Sequence, residues 1–178
     1  MIVKKGEDRI AFVGEKLTFK LAKTSPRRAG ERMKHIFKKQ GLRGLLNEWV
    51  RYGADDHHTL PNHLLHGVVA NRRERRLARE FGEVVVPTIS ILGGIANMQR
   101  TAEPTELSHR EIHRSFAENL GTLVVGLGHM LENTTNLGVN DGRVKFVDGG
   151  SRRLEGLMQS NAPEVEMSLV SIGEAVSN

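Results

Sequence analysis

Apolar and polar residues alternate twice near the start of the chain, over Arg9–Val13 and Lys16–Ala22, with Gly14-Glu15 between the two runs. Period-two alternation interrupted by a glycine turn predicts a β-hairpin, and Ile2–Lys4 predicts a short strand before it. Ser25-Pro26 offers an N-cap followed by proline at the first helical position, and Gly41 is placed to stop the strongly basic helix that follows. Leu42 to Gly53 reads as a short amphipathic helix, and ADDHHTLPNH as a polar connection with turn character. Leu64, Leu65, Val68 and Val69 restart a helical period that NRRERRLAREFGE continues, with Glu74, Leu77 and Phe81 on one face and several arginines pointing outward.

The segment VVVPTISILGGIANMQRT then holds two β-prone runs, joined at Gly93-Gly94 by a predicted two-residue turn. Ser108-His109-Arg110-Glu111 fits a capping box, and Ile112, Phe116, Leu120, Leu123, Leu127 and Leu131 follow at helical spacing, predicting one long helix. Leu137–Val139 and Val144–Val147 flank Asn140-Asp141-Gly142, a strong hairpin signal. Beyond Gly150, 28 residues remain, with periods for short helices near Arg152–Met158 and Val165–Val176.

This order of elements predicts one compact α+β unit, and 178 residues suffice to bury a core. The chain has no cysteine, which excludes disulfides, thiolate metal sites and thiol nucleophiles. No apolar run approaches the ~20 residues of a membrane span, and MIVKKGEDRI lacks a signal-type apolar segment, so the expectation is a soluble cytoplasmic protein with no membrane span. Charge is unevenly spread: residues 1–80 hold 19 Lys/Arg against 9 Asp/Glu, and residues 81–178 hold 7 against 12. A basic N-terminal half suits phosphate-rich partners such as nucleic acid, an anionic lipid surface or a phosphorylated sugar.

The stretch from His129 to Gly150 is richest in candidate chemistry. Asn136 and Asp148 sit on opposite arms of the predicted hairpin, and hard oxygen donors of this kind suit Mg²⁺. In LTFKLAK, residues 17–23, Lys20 lies on a strand, and Glu74 lies at the edge of an apolar helix stripe, where a carboxylate needs a cation. Strands, a helix with an inward Glu, two more strands, a connector, a helix, a loop, a hairpin and Asp-x-Gly together resemble the core of the protein-kinase-like fold. Among such proteins the chain is similar to small bacterial forms, the PhoP regulatory network family and the lipopolysaccharide-core sugar kinases.

The resemblance implies a minimal kinase-like fold with a small antiparallel N-terminal sheet. It implies an N-terminal lobe over residues 1–101 with a basic helical insertion at about 25–60, and a reduced helical C-terminal lobe over 102–178. Lys20 would contact the α- and β-phosphates of ATP, Glu74 would hold Lys20, and Thr101–Leu107 would be the hinge at which adenine docks. His129 would buttress the catalytic loop, and Asn136 and Asp148 would hold Mg²⁺. Leu131 stands where a protein kinase keeps its catalytic Asp, with Glu132 beside it, and only Gly6 with Lys4 and Lys5 replaces the glycine-rich loop. These departures imply either a small phosphotransferase or a degenerate, pseudokinase-type relative that binds nucleotide, with an unknown phosphate acceptor.

Other residues support competing readings. His57, His58, His63 and His66 with Asp55 and Asp56 offer metal-type donors at no recognised closed spacing, and His109 and His113 lie one helical turn apart without the His-Glu-x-x-His frame. The basic helix at 26–39 points to an anionic partner and to the alternative function, a nucleic-acid-binding or regulatory protein-binding module without catalysis. Trp49 and Tyr52 are the only Trp and Tyr, leaving few platforms on which bases could stack.

Overall fold

The computed structural model describes residues 1–6, 9–24, 26–50, 64–127 and 136–177. The alternating N-terminal runs form β1 (Ile2–Lys5), β2 (Arg9–Val13) and β3 (Leu17–Ala22). They join β4 (Thr88–Ile91) and β5 (Ala96–Arg100) in one antiparallel sheet of order β1-β2-β3-β5-β4. The β4–β5 connection is longer than the expected two-residue turn: Leu92–Gly94 form a short 3₁₀ turn with φ of 50°, 67° and 104°. Gly94 is required there, because a Cβ would lie 2.8 Å from the Arg72 side chain and 3.1 Å from the Val68 carbonyl oxygen.

The register gives this sheet an unusual polarity. One face carries the rows Lys4, Ala11, Lys20, Asn97, Ser90 and Ile2, Val13, Thr18, Gln99, Thr88, one residue from each strand. Thr18, Lys20, Asn97 and Gln99 of these rows are buried. The opposite face carries Val3, Phe12, Phe19, Met98 and Ile89 in a single row, of which Val3, Phe19 and Ile89 are exposed. Polar groups thus line the protected side, where each must find a partner.

Two basic segments are helical. α1 (Pro26–Val50) is broken at Gly41 (φ 63°, ψ −159°), where the first helix was expected to stop, and the chain resumes helical geometry beyond it. α2 (His66–Glu80) buries Asn71, Arg73, Glu74 and Leu77. Several α2 arginines were expected to point outward, and Arg73 is not one of them. Its guanidinium donates to Glu155 (2.8 Å) and to the Gly150 carbonyl (3.0 Å).

Beyond the sheet, β6 (Glu103–Pro104), β7 (Leu137–Asn140) and β8 (Arg143–Phe146) form a second antiparallel sheet. Asp141 (φ 52°) and Gly142 (φ 74°) make its tight turn, both in the left-handed region that such hairpins demand. α3 (His109–Leu120) begins with the expected capping box: the Glu111 amide donates to Ser108 Oγ (3.4 Å), and the Ser108 amide to Glu111 Oε2 (2.8 Å). The helix does not run on to Leu131 as its spacing predicted. Gly121 (φ 54°) caps it, a 3₁₀ segment Gly121–Leu127 follows, and Val124 rather than Leu123 takes the buried position.

α4 (Arg152–Ser177) joins the two expected C-terminal helices across a break at Asn161 (φ −143°, ψ 37°), two residues before Pro163. The main apolar cluster draws on α2, α3, β7, β8 and α4, with Phe116 and Phe146 rings 5.9 Å apart at its centre. Val84–Val86 belong to this half instead of extending β4. The Phe146 amide donates to the Val84 carbonyl (2.8 Å) and the Val86 amide to the Phe146 carbonyl (3.0 Å). Among the described residues, no member of β1–β5 belongs to this cluster. No described helix is long and apolar enough to cross a membrane.

Candidate functional site

Glu74, fully buried on α2, gathers donors from every surrounding element. The Lys20 ammonium on β3 donates to Oε1, as does the Gly149 amide (3.3 Å), while Arg9 Nη1 and Asn97 Nδ2 each donate to Oε2 at 2.9 Å. A buried carboxylate is tolerable only with such compensation. Asn97 reaches Glu74 because it stands opposite Lys20 in the β3–β5 register, and its amide also donates to the Asn71 carbonyl (2.8 Å). Lys20 is held from a second side by the Val147 carbonyl (2.6 Å), which also accepts from Gln99 Nε2 (3.2 Å). Two of the three donor positions of the ammonium are thereby used.

Asp148 follows Val147 directly and is tied to the same cluster through Arg9. Arg9 Nη2 donates to Asp148 Oδ1, and the Gly150 amide donates to the same oxygen at 3.1 Å. Desolvation by the surrounding chain raises the carboxyl pKa, but the Arg9 guanidinium and the Lys20 ammonium outweigh it and hold the group at about 2. A carboxylate with a depressed folded-state pKa stabilises the fold above its unfolded value near 3.8, and that contribution is lost as pH falls toward about 2. Asp148→Asn is therefore expected to flatten the loss of stability across this acid window, measured as the urea midpoint at successive pH values. Equal slopes for both proteins would contradict the Arg9–Asp148 coupling.

Arg9, Lys20, Val147 and Asp148 face a cavity of about 520 Å³, within the size range of small-molecule sites. Lys4, Lys5, Arg9 and Lys20 make one part of its lining cationic, with Asp148 and Asn136 beside them. Ala11, Val13, Ala102, Pro104 and Leu137 give it apolar walls. The expected hinge enters here. Thr101 Oγ1 donates to the Gly14 carbonyl (2.8 Å) and lies 3.0 Å from Thr18 Oγ1, and the Thr101 amide donates to the Lys16 carbonyl (3.0 Å).

Lys20, Glu74, Asn136 and Asp148 thus come from four separate parts of the chain to one cleft and its buried rim. His129, Leu131 and Glu132 lie outside the described residues, as do His57, His58, His63, Asp55 and Asp56. Among the described residues no three His, Cys, Asp or Glu side chains gather where they could hold a metal ion. His109 and His113 are neighbours on α3 with ring centroids 5.9 Å apart, and no described carboxylate completes a metal site around them.

Sequence reasoning missed Arg9, Asn71 and Asn97. The signal was present for two of them: pairing β2 with β3 and β3 with β5 puts Arg9 and Asn97 on the face of Lys20. A cation and an amide at inward positions of a sheet require a buried anion. No protein-family model, curated protein or solved structure matches this chain.

Proposed function

We propose that the cleft binds a nucleoside triphosphate as in protein-kinase-like proteins, with Lys20 on the phosphates and Glu74 holding Lys20. The observation that carries this reading is the Lys20 ammonium, pinned by Glu74 and Val147 with one donor position left over, at the cationic part of a cavity that also has apolar walls. A phosphate needs the cations, and a base needs the apolar walls near Thr101 and Pro104.

Asp148 and Asn136 fit a Mg²⁺ ion that accompanies the nucleotide. Mg²⁺ takes one or two protein carboxylates and completes its shell with waters and phosphate oxygens, so two oxygen donors suffice. Asp148 stays ionised at neutral pH. When bound, the ion would neutralise phosphate charge, and Arg9 would share Asp148 with it or move aside. His129 and Glu132 belong to the same reading as loop buttress and substitute base, and Leu131 makes nucleotide binding its firmest element.

Saturating Mg-ATP is expected to raise the melting temperature. A ligand at 100 times its dissociation constant adds about 2.7 kcal/mol, or roughly 5–10 °C for a chain of this size. Lys20→Met, measured against its own baseline, is expected to lose most of the rise. No rise with millimolar ATP, or an equal rise in the variant, would reject the reading.

A further inference from the structure

The cleft does not use α1, which holds seven Lys/Arg against two Asp/Glu. On this helix Ala29 and Ile36 form a buried edge. Next to that edge, one turn apart, Met33 (44% exposed) and Phe37 (59%) project into water. Lys34 and Lys38, each one residue further on, continue round the helix, and both are exposed. Beyond the break at Gly41 the pattern recurs, with Leu42 (66%) and Leu46 (59%) one turn apart and Arg43 exposed beside them. An exposed apolar pair occurs on both segments, bordered by Lys34 and Lys38 on the first and by Arg43 and Asn47 on the second.

We infer that α1 is a peripheral docking helix for an anionic lipid surface, lying in the headgroup region without crossing it. A bilayer of acidic lipids rewards both features at once: its surface potential attracts Lys34, Lys38 and Arg43, and its acyl boundary receives Met33, Phe37, Leu42 and Leu46. A nucleic acid would reward the cations but leave these four side chains in water. A protein groove that wraps a target helix needs more of its circumference than α1 offers, because Ala29 and Ile36 are already covered. A flat surface needs only the exposed edge.

The test is co-sedimentation of the full chain with vesicles of phosphatidylcholine alone and of phosphatidylcholine with phosphatidylserine in equal parts. Binding is expected only to the anionic vesicles, and weakens with added salt. Lys34→Glu with Lys38→Glu, and separately Met33→Ser with Phe37→Ser, should each reduce it about tenfold or more. All four positions are exposed, and unchanged far-ultraviolet circular dichroism confirms that the variants fold. Equal binding to both vesicle types, or none to either, overturns the inference. So does loss in the Lys pair with full retention in the Met33/Phe37 pair, the result expected of charge adsorption without apolar insertion.

Discussion

Glu74→Ala is expected to cost about 3–5 kcal/mol of folding free energy, because it strips the counter-charge from cations that the fold has already removed from water. Lys20 is 5% exposed, and among the described residues the Glu74 carboxylate is its only ion-pair partner, with the Val147 carbonyl left as a neutral acceptor. Asn97 Nδ2 and the Gly149 amide lose an acceptor at the same time. Arg9 is less affected, since Asp148 still holds one of its nitrogens. Replacing Glu74 with Leu and Lys20 with Met together removes both charges and is expected to restore part of the loss. Urea unfolding of the three proteins decides the matter: a Glu74→Ala cost within about 0.5 kcal/mol would show that the cluster is not desolvated as described.

Phe146→Ala should be comparably damaging, at about 3–5 kcal/mol, for a different reason. The ring is completely buried against Phe116, where the main apolar cluster cannot collapse without moving α3 or α4. The backbone bonds of residue 146 to Val84 and Val86 survive the substitution, so the loss measures the cavity. Phe146→Leu keeps most of the volume and should cost under about 1.5 kcal/mol. If the two variants are equally destabilised, with unchanged denaturant dependence, the ring is not the packing element inferred. Because Val147 and Asp148 leave the strand directly after Phe146, the alanine variant is also expected to weaken ATP binding.

How far the chain announces this arrangement differs between its parts. The hairpins were legible because period-two alternation and glycine turns are local signals, and the capping box at Ser108 because its partners are three residues apart. The end of α3 was harder to read: leucines continue at helical spacing past Gly121, and a single positive φ outweighs that periodicity. That Glu74 needs a cation was readable because a carboxylate on an apolar stripe must be compensated, whereas Lys20 as that cation was implied only by the kinase-like resemblance. Arg9 was legible only as far as the β2–β3 pairing that puts it on the face of Lys20; its bond to Asp148, 139 residues away, has no local signal. Arg73 looked like one more solvated arginine until α4 supplied Glu155.

The reversed polarity of the five-stranded sheet gives the two halves of the molecule different responses to temperature. The C-terminal half is held by apolar burial, whose strength comes with a large heat-capacity change and fades on cooling. The contact between sheet and α2 is centred on Lys20, Arg9, Asn97 and Glu74, and exposing such groups lowers heat capacity instead of raising it. Separation of the sheet from α2 is therefore governed by ions and amides, and cooling is expected to weaken the apolar C-terminal half before it loosens that contact.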